Sequence, residues 1–339
     1  MTQSNISING TTPRIILGAM TFGLEGSSAE TTVKVKGVDA VKPFLELFHA
    51  HGHVEVDTAR IYGNGDSEVA THLKIATKVY PGFPGAHEPE HLSKQFRQSL
   101  AALKTQKVDI LYLHAPDYAT PFKVTLKAID DLYREGLFER FGLSNFASWH
   151  VAQICELCKQ HGYIQPSVYQ GMYNPIARSV VPELLPCLKE YNIGFYAYNP
   201  IGGGLLSGKY KGKDEVIEGS RYDPKTFFGK FFRERYWNRL NLEGVQLLTK
   251  AAAENHLTLL EATLRWMRHH SGLEAKDGIL IGASSVRHLE ENLVDLDKGP
   301  LPQAMVDAFD EAWEHVKAAS AHYVRGPAAV RHSFGITKE

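Results

Sequence analysis

The sequence predicts a closed (β/α)8 barrel, and three observations carry that expectation. Short apolar runs alternate with segments of helical period along most of the chain, and eight such runs can be counted. The runs are apolar nearly throughout rather than at every second position, as expected for parallel strands buried on both faces beneath covering helices. A doubly wound open sheet is the main competitor, but no G-x-G-x-x-G opens a helix after the first run.

Each element has its own justification. Arg14–Phe22 (RIILGAMTF) is a first strand ended by Gly23, and Val38–Gly52 then places apolar residues at 41, 44, 45 and 48 with a glycine stop, a helical pattern. The second strand, beginning at Val54, runs into a polar loop after Asp57. A short helical segment, Asp66–Leu73, leads to a third strand at Lys74–Val79 (KIATKV). The alternation continues with helix Glu88–Leu103, strand Asp109–Pro116 (DILYLHAP), helix Pro121–Glu135 and strand Arg140–Phe146. It goes on through helix Ser148–Gln160, strand Ser167–Asn174, helix Pro182–Tyr191 and strand Gly194–Pro200. Two helical segments precede the last strand, Gly278–Ser284, and its helix, Val286–Leu296.

Two stretches depart from the alternation. Gly202–Arg235 is rich in glycine, lysine and aromatic residues and too long for an ordinary strand-to-helix connection, so it is expected to be a functional loop at the barrel mouth. Pro302–Ser320 carries Met305, Phe309, Trp313 and Val316 on one face, which predicts an extra helix against the barrel exterior. No shift in composition marks a linker, so residues 1–339 read as one domain, with polar Met1–Thr12 expected to be poorly ordered.

A chain of 339 residues, 43% hydrophobic and 22% charged, can bury a large core. Its formal net charge of -1 and the lack of any long Lys/Arg run argue against nucleic acid or an anionic membrane as the main partner, and favour a small molecule. No secretory h-region opens the sequence and no apolar stretch reaches about 18 residues, so a cytoplasmic protein is expected. Cys155 and Cys158 form a C-x-x-C. They share a helical stripe with Val151 and Ile154 and have no second Cys/His pair at zinc-finger spacing, which favours packing over metal or redox chemistry.

The stretch VEVDTARIYG, 54–63, concentrates the chemistry. Asp57 closes an apolar run and Tyr62 follows five positions on, beside Gly63 and Gly65. In a barrel a carboxylate and a phenol there stand at a strand's carboxyl end, with Lys78 and His114 at the ends of the next two strands. Singly, Asp57 could cap a turn, Lys78 could be a surface amine and His114 a hydrogen-bonded core residue. Together, four such groups on adjacent strand ends predict a site.

These residues, with GLSN (142–145), YQGMYN (169–174) and YNPIGGGLLSGKY (198–210), resemble the aldo-keto reductase superfamily over nearly the whole barrel. KIATKV, YLHAPD, ASW, PELLPCL and FYAYNP are most similar to its aflatoxin-aldehyde and succinic-semialdehyde reductase branch. The resemblance implies NADPH-dependent reduction of aldehydes or ketones to alcohols, without a metal. Tyr62 would be the general acid, Lys78 would lower its pKa, Asp57 would hold Lys78, and His114 would orient the carbonyl.

The resemblance assigns further roles. Ser144 and Asn145 would hold the carboxamide, Gln170 would lie beneath the ring and Tyr198 would stack on it. Asn199, Pro200, Gly202, Gly203, Leu205, Gly208 and Lys209 resemble the pyrophosphate segment. Ser284, Ser285, Arg287, His288, Glu291 and Asn292 resemble the grip on the adenosine 2′-phosphate, with His288 where many members carry Arg. Tyr236, Arg239, Tyr323 and Arg325 match substrate-facing positions, where an arginine could bind a carboxylate. A homodimer would be branch-typical. A rival class is a cofactor-sensing barrel of the potassium-channel subunit type, which would bind NADPH with little turnover. Only sixteen positions separate Tyr62 from Lys78, so the intervening helix is expected to be truncated and the third strand short or abrupt in its start, with Lys78 still reaching Asp57.

Overall fold

The computed structural model describes residues 12–23, 33–59, 73–210, 212 and 217–326. Eight parallel strands close a barrel: β1 (Arg14–Gly18), β4 (Glu55–Asp57), β5 (Lys74–Val79), β6 (Val108–Leu113), β7 (Phe138–Ser144), β8 (Pro166–Met172), β9 (Gly194–Tyr198) and β10 (Gly278–Ile281). They pair in the order in which they follow along the chain, with β10 returning to β1. A two-residue ribbon, β2 (Phe22–Gly23) with β3 (Val35–Lys36), extends beyond the end of β1. The (β/α)8 expectation is met.

The strands read as apolar runs because both faces are buried. Their outward residues, such as Leu111, Leu113 and Phe141, join one continuous core with the helices α1 (Val38–Ala50), α2 (Pro89–Ala102), α3 (Phe122–Arg134), α4 (Ser148–His161) and α5 (Leu184–Glu190). Inward residues form a small separate layer of Ile16, Ala76, Ile110, Tyr112, Val168, Tyr196 and Leu280. The barrel is thus filled, with room for chemistry only at its carboxyl mouth. Cys155 and Cys158 lie in α4 on its buried face, and burial pushes both thiols up to about 12, so they pack as apolar groups.

Three expectations need correction. The stretch Gly202–Arg235 is not all loop: a 3-10 turn at Gly202–Ser207 is followed by α6 (Phe227–Tyr236), capped by Thr226, whose hydroxyl accepts from the Gly229 N–H at 2.9 Å. The aromatic run disguised a helix whose buried face, Phe232 and Tyr236, packs on Tyr222. Next, β5 runs for six residues, so the third barrel strand is not short; the brief one is β4, with three. The segment Asp66–Leu73 lies outside the described residues except for its last position, as do Tyr62 and residues 1–11. Finally, Trp313 is only partly buried and Ala312 takes the inward position on α10 (Gln303–Val316).

α10 packs on α7 (Arg239–Glu254), and Gly244 makes that approach feasible, since a Cβ there would lie 2.6 Å from Val316 Cγ1. α8 (Leu259–His269) carries the crossover into β10, and α9 (Val286–Asp297) closes the ring of helices. Among the described residues no helix is long and apolar enough to cross a membrane.

Candidate active site

The ends of β4, β5, β6, β7, β8 and β9 open into one cavity of about 1220 Å³. Ordinary small-molecule sites occupy roughly 300–1,000 Å³, so this one has room for a dinucleotide and a substrate together. At its floor the strand register brings Asp57 beside the chain of β5, two residues before Lys78. Lys78 Nζ donates to Asp57 Oδ2 at 2.6 Å and to the Thr58 carbonyl at 2.8 Å. The second carboxylate oxygen accepts from Gln170 Nε2 at 2.8 Å, across the barrel from β8. Lys78 is 0% exposed, so its charge is held dry between a carboxylate and a carbonyl. The predicted contact between Lys78 and Asp57 is made.

His114 follows β6 and meets Tyr80 edge-on, with ring centroids 5.4 Å apart. Burial, then the cations Lys78 and Arg325, push its pKa well below the ordinary histidine value. It therefore stays neutral at physiological pH and can donate one ring N–H to a carbonyl oxygen without supplying charge. His53 and His87 are likewise lowered, each to about 4, chiefly by burial. A base whose folded pKa is lowered binds fewer protons folded than unfolded, so stability is lost as pH falls from about 6.5 toward 4. We expect the folding free energy to fall across that window by up to about 1.4 kcal/mol per pH unit for buried His87 and by less for the partly exposed His53, with Tm falling alongside, and both to change little from pH 7 to 8. A flat Tm between pH 7 and 5 in calorimetry would refute this.

The opposite wall is a hydrogen-bonded chain. Tyr198 donates to Asn145 Oδ1 at 2.7 Å, while Asn145 Nδ2 donates to the His114 carbonyl at 2.8 Å and reaches Ser144 Oγ at 2.9 Å. Asn145 and Asn199 both have positive φ, 64° and 56°, which suits asparagine at these sharp strand-to-loop turns. Ser144, Asn145, Gln170, Tyr198, Asn199 and Pro200 all line the cavity.

Beyond them Gly202, Gly203 and Gly204 take φ of 56°, 66° and 99°, a backbone L side chains rarely adopt. Gly203, Gly204, Ser207 and Lys209 face the cavity; Gly202, Leu205 and Gly208 do not line it but support the turn from behind. Burial lowers the Lys209 pKa, as do Arg221 and Lys34, so three cations gather at this end. That is the charge an anion would neutralise. A dinucleotide's pyrophosphate fits such a cradle, because the glycines leave the backbone open and the cations face it. At the start of α9, Ser285 Oγ accepts from the His288 N–H at 3.2 Å and Ser284 Oγ lies 3.1 Å from His288 Nδ1. Ser284, His288, Glu291 and Asn292 line the cavity; Ser285 caps the helix, and Arg287 is exposed and paired with Glu291 at 2.8 Å.

The substrate-facing expectations divide. Arg325 lines the cavity at 7% exposed, and neither its Nε nor its Nη1 has a partner among the described residues. Its backbone is pinned, with the N–H donating to the Asn145 carbonyl at 3.2 Å and the carbonyl accepting from Tyr118 at 2.8 Å. Arg239, by contrast, is 75% exposed at the start of α7 and paired with Glu243 at 2.8 Å. The arginine of this stretch, RYWNR (235–239), that reaches the cavity is Arg235, near the end of α6, with its guanidinium 4.3 Å from the Phe231 ring. Tyr236 and Tyr323 are buried behind the wall, near Asn174 and Glu183 respectively.

Sequence reasoning missed Lys34, Arg221 and Arg235, together with the apolar wall of Phe227, Phe228 and Phe231. Lys34 Nζ donates to the Gly219 carbonyl at 2.9 Å, linking the ribbon after β1 to the segment after β9. For all but Lys34 the sequence signal was the cationic, aromatic character of the long insertion.

A buried ammonium–carboxylate pair, a neutral imidazole and a glycine cradle facing cations, all at a barrel's carboxyl end, define an oxidoreductase site of the aldo-keto reductase type. The chain belongs to the aldo/keto reductase family, whose model matches residues 14–314. It is 41% identical to human aldo-keto reductase family 7 member A3, over 92% of this chain and 97% of that protein. It is 40% identical to mouse aflatoxin B1 aldehyde reductase member 2, over 92% and 88%. Aldo-keto reductase pigE of Monascus ruber is 39% identical over 91% and 96%. The protein is therefore a reductase of small-molecule carbonyl compounds.

Proposed function

We propose that the protein reduces aldehydes with NADPH, using Tyr62 as general acid, and prefers substrates that carry a carboxylate. The observation that carries this reading is the dry Lys78–Asp57 pair at the cavity floor. The reduced nicotinamide supplies the hydride when bound. Ser144 and Asn145 would orient its carboxamide, Gln170 would lie beneath the ring, Tyr198 would flank it, and the glycine cradle with Lys209 and Arg221 would take the pyrophosphate. Ser284, His288 and Asn292 would meet the 2′-phosphate; this favours NADPH, although His288 is a weaker anion partner than arginine.

His114 then donates to the substrate carbonyl oxygen, and Tyr62 passes its proton to that oxygen as charge develops there. Lys78 stabilises the phenolate left behind, while Asp57 keeps the ammonium charged and in place. Purified protein should oxidise NADPH steadily with simple aldehydes and more slowly with NADH at equal concentration. Faster turnover with NADH would refute the cofactor assignment.

Arg325 supports the carboxylate preference, since a buried guanidinium facing a cavity gains most from a bidentate anion. Arg325→Ala is expected to raise KM for succinic semialdehyde at least tenfold, and to change KM for a neutral aldehyde of similar length less than threefold. Arg239→Ala, on the exposed side of α7, should alter neither. Equal effects of Arg325→Ala on both substrates would overturn the carboxylate role.

A further inference from the structure

The barrel interior holds two ionic layers with one apolar layer between them. The upper is the Lys78–Asp57 pair. In the lower, Glu55 accepts from Arg14 and Arg140, each at 3.2 Å, and from the Tyr196 hydroxyl at 2.9 Å. Between them lies Tyr112, 0% exposed, its ring 5.6 Å from Lys78 Nζ. The register of β6 sets Tyr112 beside Lys78 on one side and Gly142 on the other. A Cβ at Gly142 would lie 2.3 Å from Tyr112 Cδ1 and 2.5 Å from Cε1, so the ring lies flat against a strand that only glycine leaves open. The Tyr112 hydroxyl has no hydrogen-bond partner among the described residues. The side chain is therefore placed for its ring and not for its hydroxyl.

We propose that Tyr112 is a positioning residue for carbonyl reduction: its ring, laid against Gly142, supports the Lys78 ammonium and thereby sets the acidity of the proton donor that this ammonium assists. An ammonium near an aromatic face is attracted to the ring quadrupole, more strongly when both are desolvated. Burial followed by the nearby Asp57 carboxylate holds the Tyr112 phenol well above its usual range, so it stays neutral and donates no proton in the reaction.

This inference rests on the assignment of Tyr62 as acid, and its test separates the two. The pH profile of kcat/KM for aldehyde reduction should show a basic limb, where the acid loses its proton. Tyr112→Phe, which keeps the ring, should leave that limb in place. Tyr112→Leu should lower kcat about tenfold and move the limb upward by about half to one pH unit, because a less well seated ammonium no longer holds the acid's pKa down. NADPH affinity, read by fluorescence, should stay within twofold. Should the leucine variant not fold, Tyr112→Met, whose flexible side chain adapts to the gap without a ring, is expected to show the same displacement. A ring-free variant whose profile superimposes on the wild type would overturn the proposal, as would a Tyr112→Phe profile displaced equally far. Full turnover in Tyr62→Phe would instead overturn the acid assignment, and this inference with it.

Discussion

Tyr62→Phe is expected to lower kcat for aldehyde reduction about a thousandfold while leaving the Kd for NADPH within twofold. The phenol follows Asp57 by five positions at the carboxyl end of β4, so the ion pair at the floor lies close along the chain to the proposed acid. General acid catalysis by a positioned side chain contributes typically 10²–10⁴-fold, and the substitution removes the proton while keeping the ring. The proposed cofactor contacts come from β7, β8, β9 and α9, elements that do not carry position 62. Turnover within tenfold of wild type would mean that another group delivers the proton.

Lys78→Met should have two separable consequences. The rate should fall at least a hundredfold, because an unassisted phenol with a reference pKa near 10 is a poor acid at neutral pH. Stability should also suffer. Among the described residues Asp57 would keep the Gln170 amide as a side-chain partner in a dry site, and breaking a buried pair by removing one member costs about 3–5 kcal/mol. Asp57→Asn in the same background removes the orphaned charge, so the double variant should regain much of the lost stability while staying inactive. Chemical denaturation distinguishes the outcomes: a double variant no more stable than Lys78→Met would refute the account of an uncompensated carboxylate.

Much of this architecture was legible in the sequence because parallel barrel strands are apolar on both faces and recur at a regular spacing. KIATKV matched β5 at both ends, and the groups it carries met as expected. Less legible was whatever depends on helical phase or on contacts across the barrel. RYWNR offers two arginines, and only the break between α6 and α7 within it decides that Arg235 faces in from the end of α6 while Arg239 faces solvent at the start of α7. Arg287 stood nearest the expected phosphate grip, yet its phase on α9 pairs it with Glu291. Glu55 drew no attention inside its apolar run, although it is the hub of the lower ionic layer, joined to Arg14 on neighbouring β1 and to Arg140 on β7. The buried, unpaired ends of Arg325 follow from its backbone being tied to Asn145, which no local pattern displays.

The central claim is that the Lys78–Asp57 floor serves hydride transfer to a carbonyl, with the proton arriving from the protein. It is tested most directly by incubating the purified chain with 4-nitrobenzaldehyde and NADPH deuterated on the transferring face of C4, and analysing the product by mass spectrometry. Steady turnover giving 4-nitrobenzyl alcohol with one deuterium on the benzylic carbon is the predicted result. Tight NADPH binding with no alcohol formed, or alcohol formed without the label, would contradict the account.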